Sequence, residues 1–129
     1  MTKVIVAGSR LFNDYNFVEI VLTKLLSTLS KVEIVSGRCN YDLFLKTGQW
    51  IGADMMGERY ANQNNLPVKP FPPNWNTYGK AAGPIRNEQM AIYADWCMLF
   101  WDGKSKGSAS MKKMCTKHNV TLFETIITL

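Results

Sequence analysis

Short β-branched runs that stop at glycine alternate along this chain with segments of helical apolar spacing, and that alternation narrows the possible folds sharply. Residues 3–7 (KVIVA) form an apolar run halted by Gly8, the pattern of a strand buried on both faces. Asp14 then stands as an N-cap, and Val18, Val21, Leu22, Leu25 and Leu29 recur on one face, which predicts an amphipathic helix over residues 15–29. Val32–Ser36 predicts a second strand, halted by Gly37. Gly52, Ala53 and Asp54 open a second helix that runs to about Gln63, with Met56, Tyr60 and Ala61 as core positions, and Asn64, Asn65 and Pro67 end it. Residues 68–71 predict a brief third strand, residues 72–83 a loop and residues 84–93 a third helix. Trp96–Trp101 is the most apolar run and reads as the central strand, with Trp96 and Phe100 in the core. A turn at residues 103–107, a fourth helix over 108–117 and a last strand over 121–127 complete the series. Such alternation predicts an α/β fold in three layers, with a mainly parallel sheet of about five strands between two layers of helices.

The length of 129 residues suits one domain, residues 1–129, with a sizeable core. A hydrophobic content of 47% with 19% charged residues excludes a disordered chain. No apolar run reaches the roughly 20 residues of a membrane-spanning helix, so no membrane partner is expected. Met1, Thr2 and Lys3 lead straight into the first strand with no cleavage-site pattern, so no signal peptide is expected either. Cys39, Cys97 and Cys115 are odd in number and lack metal spacing, which points to a cytoplasmic protein without disulfides or a metal site. The net charge of +5 suits nucleic acid and small phosphorylated ligands alike.

In parallel sheets ligands bind beyond the carboxyl ends of the strands, where strand order reverses. After the first strand come Gly8, Ser9 and Arg10, and after the second come Ser36, Gly37 and Arg38. After the third come Trp75, Tyr78, Lys80 and a helix mouth, with Gly83 at the cap, Pro84 in the first turn and Arg86 and Asn87 behind. After the fourth come Asp102, Gly103, Lys104, Ser105, Lys106, Gly107 and Ser108. All four loops fall on one edge, and each carries glycine and a basic residue, which points to a phosphate-bearing ligand. Arg86 lies in a first helical turn, where a cation opposes the helix dipole, so an anionic partner is favoured there. Neither G-x-G-x-x-G nor a Walker A sequence is present, and no cofactor is assigned.

Several residues admit two readings. Arg10 either contacts the ligand or pairs with Asp14. Asp54 and Glu58 share a helix face; they either hold a ribose diol or act as general base, or Asp54 merely helps its helix start. Asp102 is either a functional acid at the switch point or the shaper of its turn. Trp75 and Tyr78 either stack on a base or cover the sheet edge. His118 is a lone histidine at a helix C-terminus, Glu88 a first-turn acid, and Lys112, Lys113 and Lys117 a solvated face.

The series V-I-V-A-G-S-R (residues 4–10), V-S-G (35–37), G-A-D (52–54), G-E-R-Y-A (57–61), G-K-A-A-G-P-I-R-N-E-Q-M (79–90) and W-D-G-K-S-K-G-S (101–108) resembles the YspA/YpsA-related branch of the SLOG superfamily, over nearly the whole chain. The resemblance implies a Rossmann-like fold, a bacterial or phage source, a homodimer and a nucleotide-type ligand. Its relatives include phosphoribohydrolases of the "lonely guy" type, which cleave nucleoside monophosphates, proteins that sense ADP-ribose-type signals, and a single-strand DNA binder. Mapped onto this chain, the hydrolase phosphate loop corresponds to residues 102–108, with Gly103, Gly107 and Ser108 around the phosphate, and the family arginine to Arg86. The catalytic glutamate has no counterpart, since Ala109, Ser110 and Met111 fill that turn. Residues 38–51 form an insertion holding Tyr41, Phe44 and Trp50, read as a lid, a base-stacking wall, a dimer contact or a plain surface loop. The expected function is binding of a nucleotide or its derivative as a sensor or sequestering protein. The alternative is a nucleotide N-glycosidase using Asp54, Glu58 or Asp102. Single-stranded nucleic-acid binding ranks last, because the basic residues sit in ligand loops rather than in a stripe.

Overall fold

A computed structural model describes all of residues 1–129. Five parallel strands form one sheet in the order β3-β2-β1-β4-β5: β1 (Thr2–Gly8), β2 (Val32–Ser36), β3 (Val68–Pro70), β4 (Trp96–Trp101) and β5 (Thr121–Ile126). The helices are α1 (Tyr15–Leu25), α2 (Tyr41–Thr47), α3 (Ala53–Gln63), the short α4 (Trp75–Tyr78), α5 (Ala82–Tyr93) and α6 (Lys106–Lys117). No helix is long and apolar enough to cross a membrane.

Side chains alternate across a strand, so β1 feeds two cores. Val4 and Val6 pack with Val18 and Leu22 of α1 and Met56 and Tyr60 of α3. Ile5 and Ala7 pack on the other face with Met90 and Ala91 of α5 and Met111 and Cys115 of α6. The result is the expected Rossmann-like three-layer arrangement. Ile5 is fully buried, and its truncation to alanine would cost about 2–5 kcal/mol. Gly57 explains the close seat of α3, because a Cβ there would fall 2.6 Å from Val6 Cβ.

Local signals account for most element ends. The Asp14 carboxylate caps α1 by accepting the Phe17 N–H at 3.2 Å, as expected. That helix stops at Leu25 instead of residue 29, because the Leu26 N–H donates to the Leu22 carbonyl and the Ser27 N–H then closes a tighter turn onto the Lys24 carbonyl; Leu29 still packs on the core. The central strand is β1, not β4, which corrects the sequence expectation. Apolarity reports that both faces of a strand are covered, and β4 meets that condition one place from the sheet edge. Phe100 is fully buried, whereas Trp96 is half-buried against Phe123 with ring centroids 5.1 Å apart.

Four further differences concern segments between strands. Residues 38–51, expected as an insertion, contain α2, closed by Gly48 in the left-handed region. The expected loop over 72–83 contains α4, whose Asn74 side chain accepts the Thr77 N–H at 3.1 Å. A 3₁₀ turn at Gly79–Ala81 then winds directly into α5, which starts at Ala82; Gly83 is therefore inside the first turn and not its cap. Likewise α6 starts at Lys106 rather than at residue 108.

Candidate functional site

Strand order reverses between β1 and β4: β1 leads outward through β2 to β3, and the chain then crosses to β4 and β5 on the other side. At the carboxyl end of this junction β1 and β4 nearly touch. The Ser9 N–H donates to the Phe100 carbonyl at 2.8 Å, and a Cβ on Gly8 (φ +148°) would lie 1.8 Å from that oxygen. Only glycine fits at this point.

A cleft of ≈ 630 Å³ opens above the junction. The predicted residues Gly8, Ser9, Arg10, Asp54, Trp75, Lys80, Gly83, Arg86, Asn87, Asp102, Ser105, Gly107 and Ser108 all line it. Gly37, Glu58, Tyr78 and Gly103 do not. Gly37 stands behind the wall and makes room for it, since a Cβ there would fall 2.6 Å from Arg86 Nη1 and 3.0 Å from Asp54 Oδ2. Gly103 turns the loop after β4 at φ +81°. The structure adds Cys39, Met90, Lys106, Ser110 and Met111 to the lining. Met90 and Met111 stand three residues beyond Asn87 and Ser108, so helical spacing was the signal that marked them. Cys39 carries no such spacing signal; its N–H reaches the cleft by donating to Asp54.

One end of the cleft gathers unpartnered N–H groups and unpaired basic side chains. Asp102 Oδ1 accepts the N–H groups of Lys104 at 2.9 Å and Ser105 at 3.0 Å, which folds the loop into the first turn of α6 and holds the Asp102 carboxyl below its ordinary pKa. The Ser105 side chain does not cap that helix, and the N–H groups of Lys106, Gly107 and Ser108 find no partner within the chain. The Ser108 residue is 5% exposed, lines the cleft, and its hydroxyl makes no hydrogen bond within the chain. Asn87 ties α5 to this turn, donating from Nδ2 to the Gly107 carbonyl and to Ser110 Oγ, each at 3.3 Å. Arg10, Lys80, Arg86 and Lys106 line the cleft, and none belongs to an ion pair. Asp14 does not engage Arg10.

The other end carries a carboxylate. Asp54 is 6% exposed; one oxygen accepts the Cys39 N–H at 3.1 Å and the second has no partner within the chain. Burial pushes its pKa up to about 6, against the pull of the nearby Arg86 guanidinium and of the Cys39 N–H; Glu58 adds slightly to the rise. Arg86 Nε donates to Asn87 Oδ1 at 2.9 Å, and Nη1 donates to the Gly37 carbonyl. Asp54 and Glu58 share a face of α3 but diverge at their tips. Glu58 Oε2 accepts from Ser36 Oγ at 2.6 Å and from Arg38 Nε at 3.3 Å, and Oε1 accepts from Arg38 Nη2 at 3.3 Å. Glu58 thus holds the start of the insertion.

The insertion aromatics turn away from the cleft. Arg38 lies 4.0 Å over the Tyr41 ring, and Phe44 and Trp50 pack at a tilt of 37° with centroids 4.1 Å apart. Trp75, 57% exposed, lines the mouth; Tyr78 is exposed outside it. On the outer surface Glu88 of α5 pairs with Lys117 at 2.7 Å and His118 at 2.8 Å, which holds the Glu88 carboxyl below its ordinary pKa.

The Rossmann-like sheet agrees with what sequence comparison finds. The profile of the YspA, cpYpsA-related SLOG family matches residues 2–78, and the chain belongs to that family. It is also similar to the Gene 61 protein of Mycobacterium phage D29, at 29% identity over 126 residues covering 93% of each chain. No solved structure matches the chain. The profile match ends before the α6 phosphate-loop candidate, so the α6 end of the cleft rests on the geometry described above.

Proposed function

We propose that the chain binds a nucleotide or nucleotide-derived phosphorylated ligand in this cleft, as a sensor or sequestering protein. The observation that carries the reading is the open first turn of α6: three unpartnered N–H groups, the unpartnered hydroxyl of Ser108 in the cleft lining, and unpaired Lys106 at the same turn. Helix N-termini with free N–H groups hold phosphate through hydrogen bonds and the dipole. Arg10 and Lys80 supply further positive charge at the rim. The free oxygen of Asp54 is an acceptor for a sugar hydroxyl, and the exposed face of Trp75 is a platform for a base. Membership of the SLOG family supports a nucleotide-related ligand or glycosidase-like chemistry.

A second reading, N-glycosidase chemistry, is favoured by Asp54. A carboxyl with its pKa at about 6 is poised for proton transfer near neutrality, and as the anion it would stabilise an oxocarbenium-like transition state. Of the three candidate acids, Glu58 is engaged by Ser36 and Arg38 and Asp102 by its own turn, which leaves Asp54 to serve.

The test is to incubate pure protein with nucleoside monophosphates, NAD, ADP-ribose and cyclic nucleotides, then follow the free pool and the protein-bound fraction by mass spectrometry. Intact nucleotide retained by the protein supports the binder. Release of free base supports the glycosidase. A panel that is neither retained nor cleaved refutes both.

A further inference from the structure

We infer that Asn40, in the insertion, is a positioning residue of the anion site that sets Arg10 at the edge of the cleft; this rests on the reading of the cleft as a phosphate site. Asn40 Nδ2 donates to the Arg10 carbonyl at 2.8 Å and to the Ile51 carbonyl at 3.2 Å. An amide nitrogen carries two hydrogens, and both are used here. The residue sits at φ +69°, ψ +16°, in the left-handed region that asparagine tolerates better than most side chains. Its place is secured from behind: Arg38, itself at φ +57°, is gripped by Glu58 and stacked on Tyr41, and the Cys39 N–H is bound by Asp54.

The loop that Asn40 touches is already tied at both ends. The Ala53 N–H donates to the Ser9 carbonyl at 3.0 Å and the Gly52 N–H to the Phe12 carbonyl at 2.8 Å. Asn40 binds the carbonyl between them. Three stretches of backbone meet here so closely that a Cβ on Gly52 would lie 3.0 Å from Asn40 Nδ2 and 3.1 Å from the Arg10 Cα and carbonyl oxygen. The Arg10 peptide is therefore held while its guanidinium, in no ion pair, remains available at the rim. A cation whose backbone is held in this way loses less freedom when an anion binds. The insertion thus serves the cleft through Asn40 and Cys39, not through its aromatics.

The test is a double-mutant cycle with ribose 5-phosphate, which offers phosphate and sugar without committing to a base, read by calorimetry. Asn40→Gly keeps the left-handed backbone and removes the amide; Asn40→Asp keeps the size and turns an acceptor toward two carbonyls. Arg10→Ala is expected to weaken binding about tenfold, and either Asn40 variant about threefold or more. Because Asn40 acts through Arg10, Arg10→Ala combined with Asn40→Gly should bind no more weakly than Arg10→Ala alone. Unchanged affinity in both folded Asn40 variants, or additive losses in the double variant, overturns the role of Asn40 while leaving the phosphate site standing. A wild-type protein that does not bind ribose 5-phosphate overturns the phosphate reading, and the role of Asn40 with it.

Discussion

Replacing Asp54 with asparagine should stabilise the protein in neutral solution. The carboxyl is raised from 3.8 to about 6, chiefly by burial. A native-state pKa above the unfolded value means that the folded protein takes up this proton first as pH falls. The stability linked to it is fully present below about 3.8 and is lost as pH rises through about 6. A difference of roughly two pKa units corresponds to about 3 kcal/mol carried as a cost by the ionised native state. Asparagine has nearly the same shape, keeps an oxygen for the Cys39 N–H and removes the charge, while Arg86 retains the Gly37 carbonyl and Asn87 Oδ1. The expected gain at about pH 7.5 is about 1–3 kcal/mol, after allowing for imperfect pairing of the new amide. Urea unfolding followed by tryptophan fluorescence, from about pH 7.5 down to about 4.5, isolates the effect. Wild type should recover about 2 kcal/mol relative to the variant over that interval, because only its carboxyl titrates there. A variant less stable than wild type at neutral pH, with a deficit that grows as pH rises from about 4.5 to about 7.5, would refute the argument and show that the Arg86 charge outweighs desolvation.

Three further outcomes follow from the same geometry. Gly8→Ala should cost about 3 kcal/mol or more, since its Cβ would meet the Phe100 carbonyl at 1.8 Å; a midpoint of chemical unfolding close to wild type would mean that the β1–β4 junction gives way easily. Ser108→Ala should change stability by less than about 0.5 kcal/mol, because the hydroxyl has no partner to lose, yet reduce nucleotide retention severalfold; equal retention by mass spectrometry removes Ser108 from the site. Glu58→Gln should cost about 1–2 kcal/mol in thermal unfolding, a figure reduced from that of a fully buried pair because the Arg38 side chain is 25% exposed. It should leave any base-releasing activity in place, so loss of that activity in a folded Glu58 variant would contradict the assignment of the acid role to Asp54.

Much of the cleft was legible before any tertiary contact was known. Strand runs halted by glycine, and four loops carrying glycine with a basic residue, point to one sheet edge because parallel strands all end on the same side. The α6 end is local as well: Asp102 folds a turn within its own loop, and the first turn of α6 follows it directly. The lining residues Met90 and Met111 were within reach of helical spacing. The start of α5 was not, because Gly83 and Pro84 make a good helix opening and only the 3₁₀ turn before them shows that the helix has already begun.

Local pattern by itself determined the five strands, the four longer helices and which loops share an edge, since these follow from periodicity and parallel connection, whereas the short helices α2 and α4 carry too few turns to show it. Tertiary structure alone decided that β1 is the central strand, because covered faces do not reveal the number of hydrogen-bonded neighbours. It also separated Asp54 from Glu58. Two acids one turn apart share a helix face, but their tips reach different surroundings: one meets the cleft, and the other meets Ser36 and an arginine delivered by the insertion. The same holds for Arg86, where the helix dipole predicts an anion and only the folded chain shows that the guanidinium bonds to the Gly37 carbonyl and Asn87 Oδ1, with Asp54 nearby but unpaired to it. Charge, capping and spacing act over a few residues and are written in the chain, whereas the desolvation of a carboxylate depends on every element that closes over it.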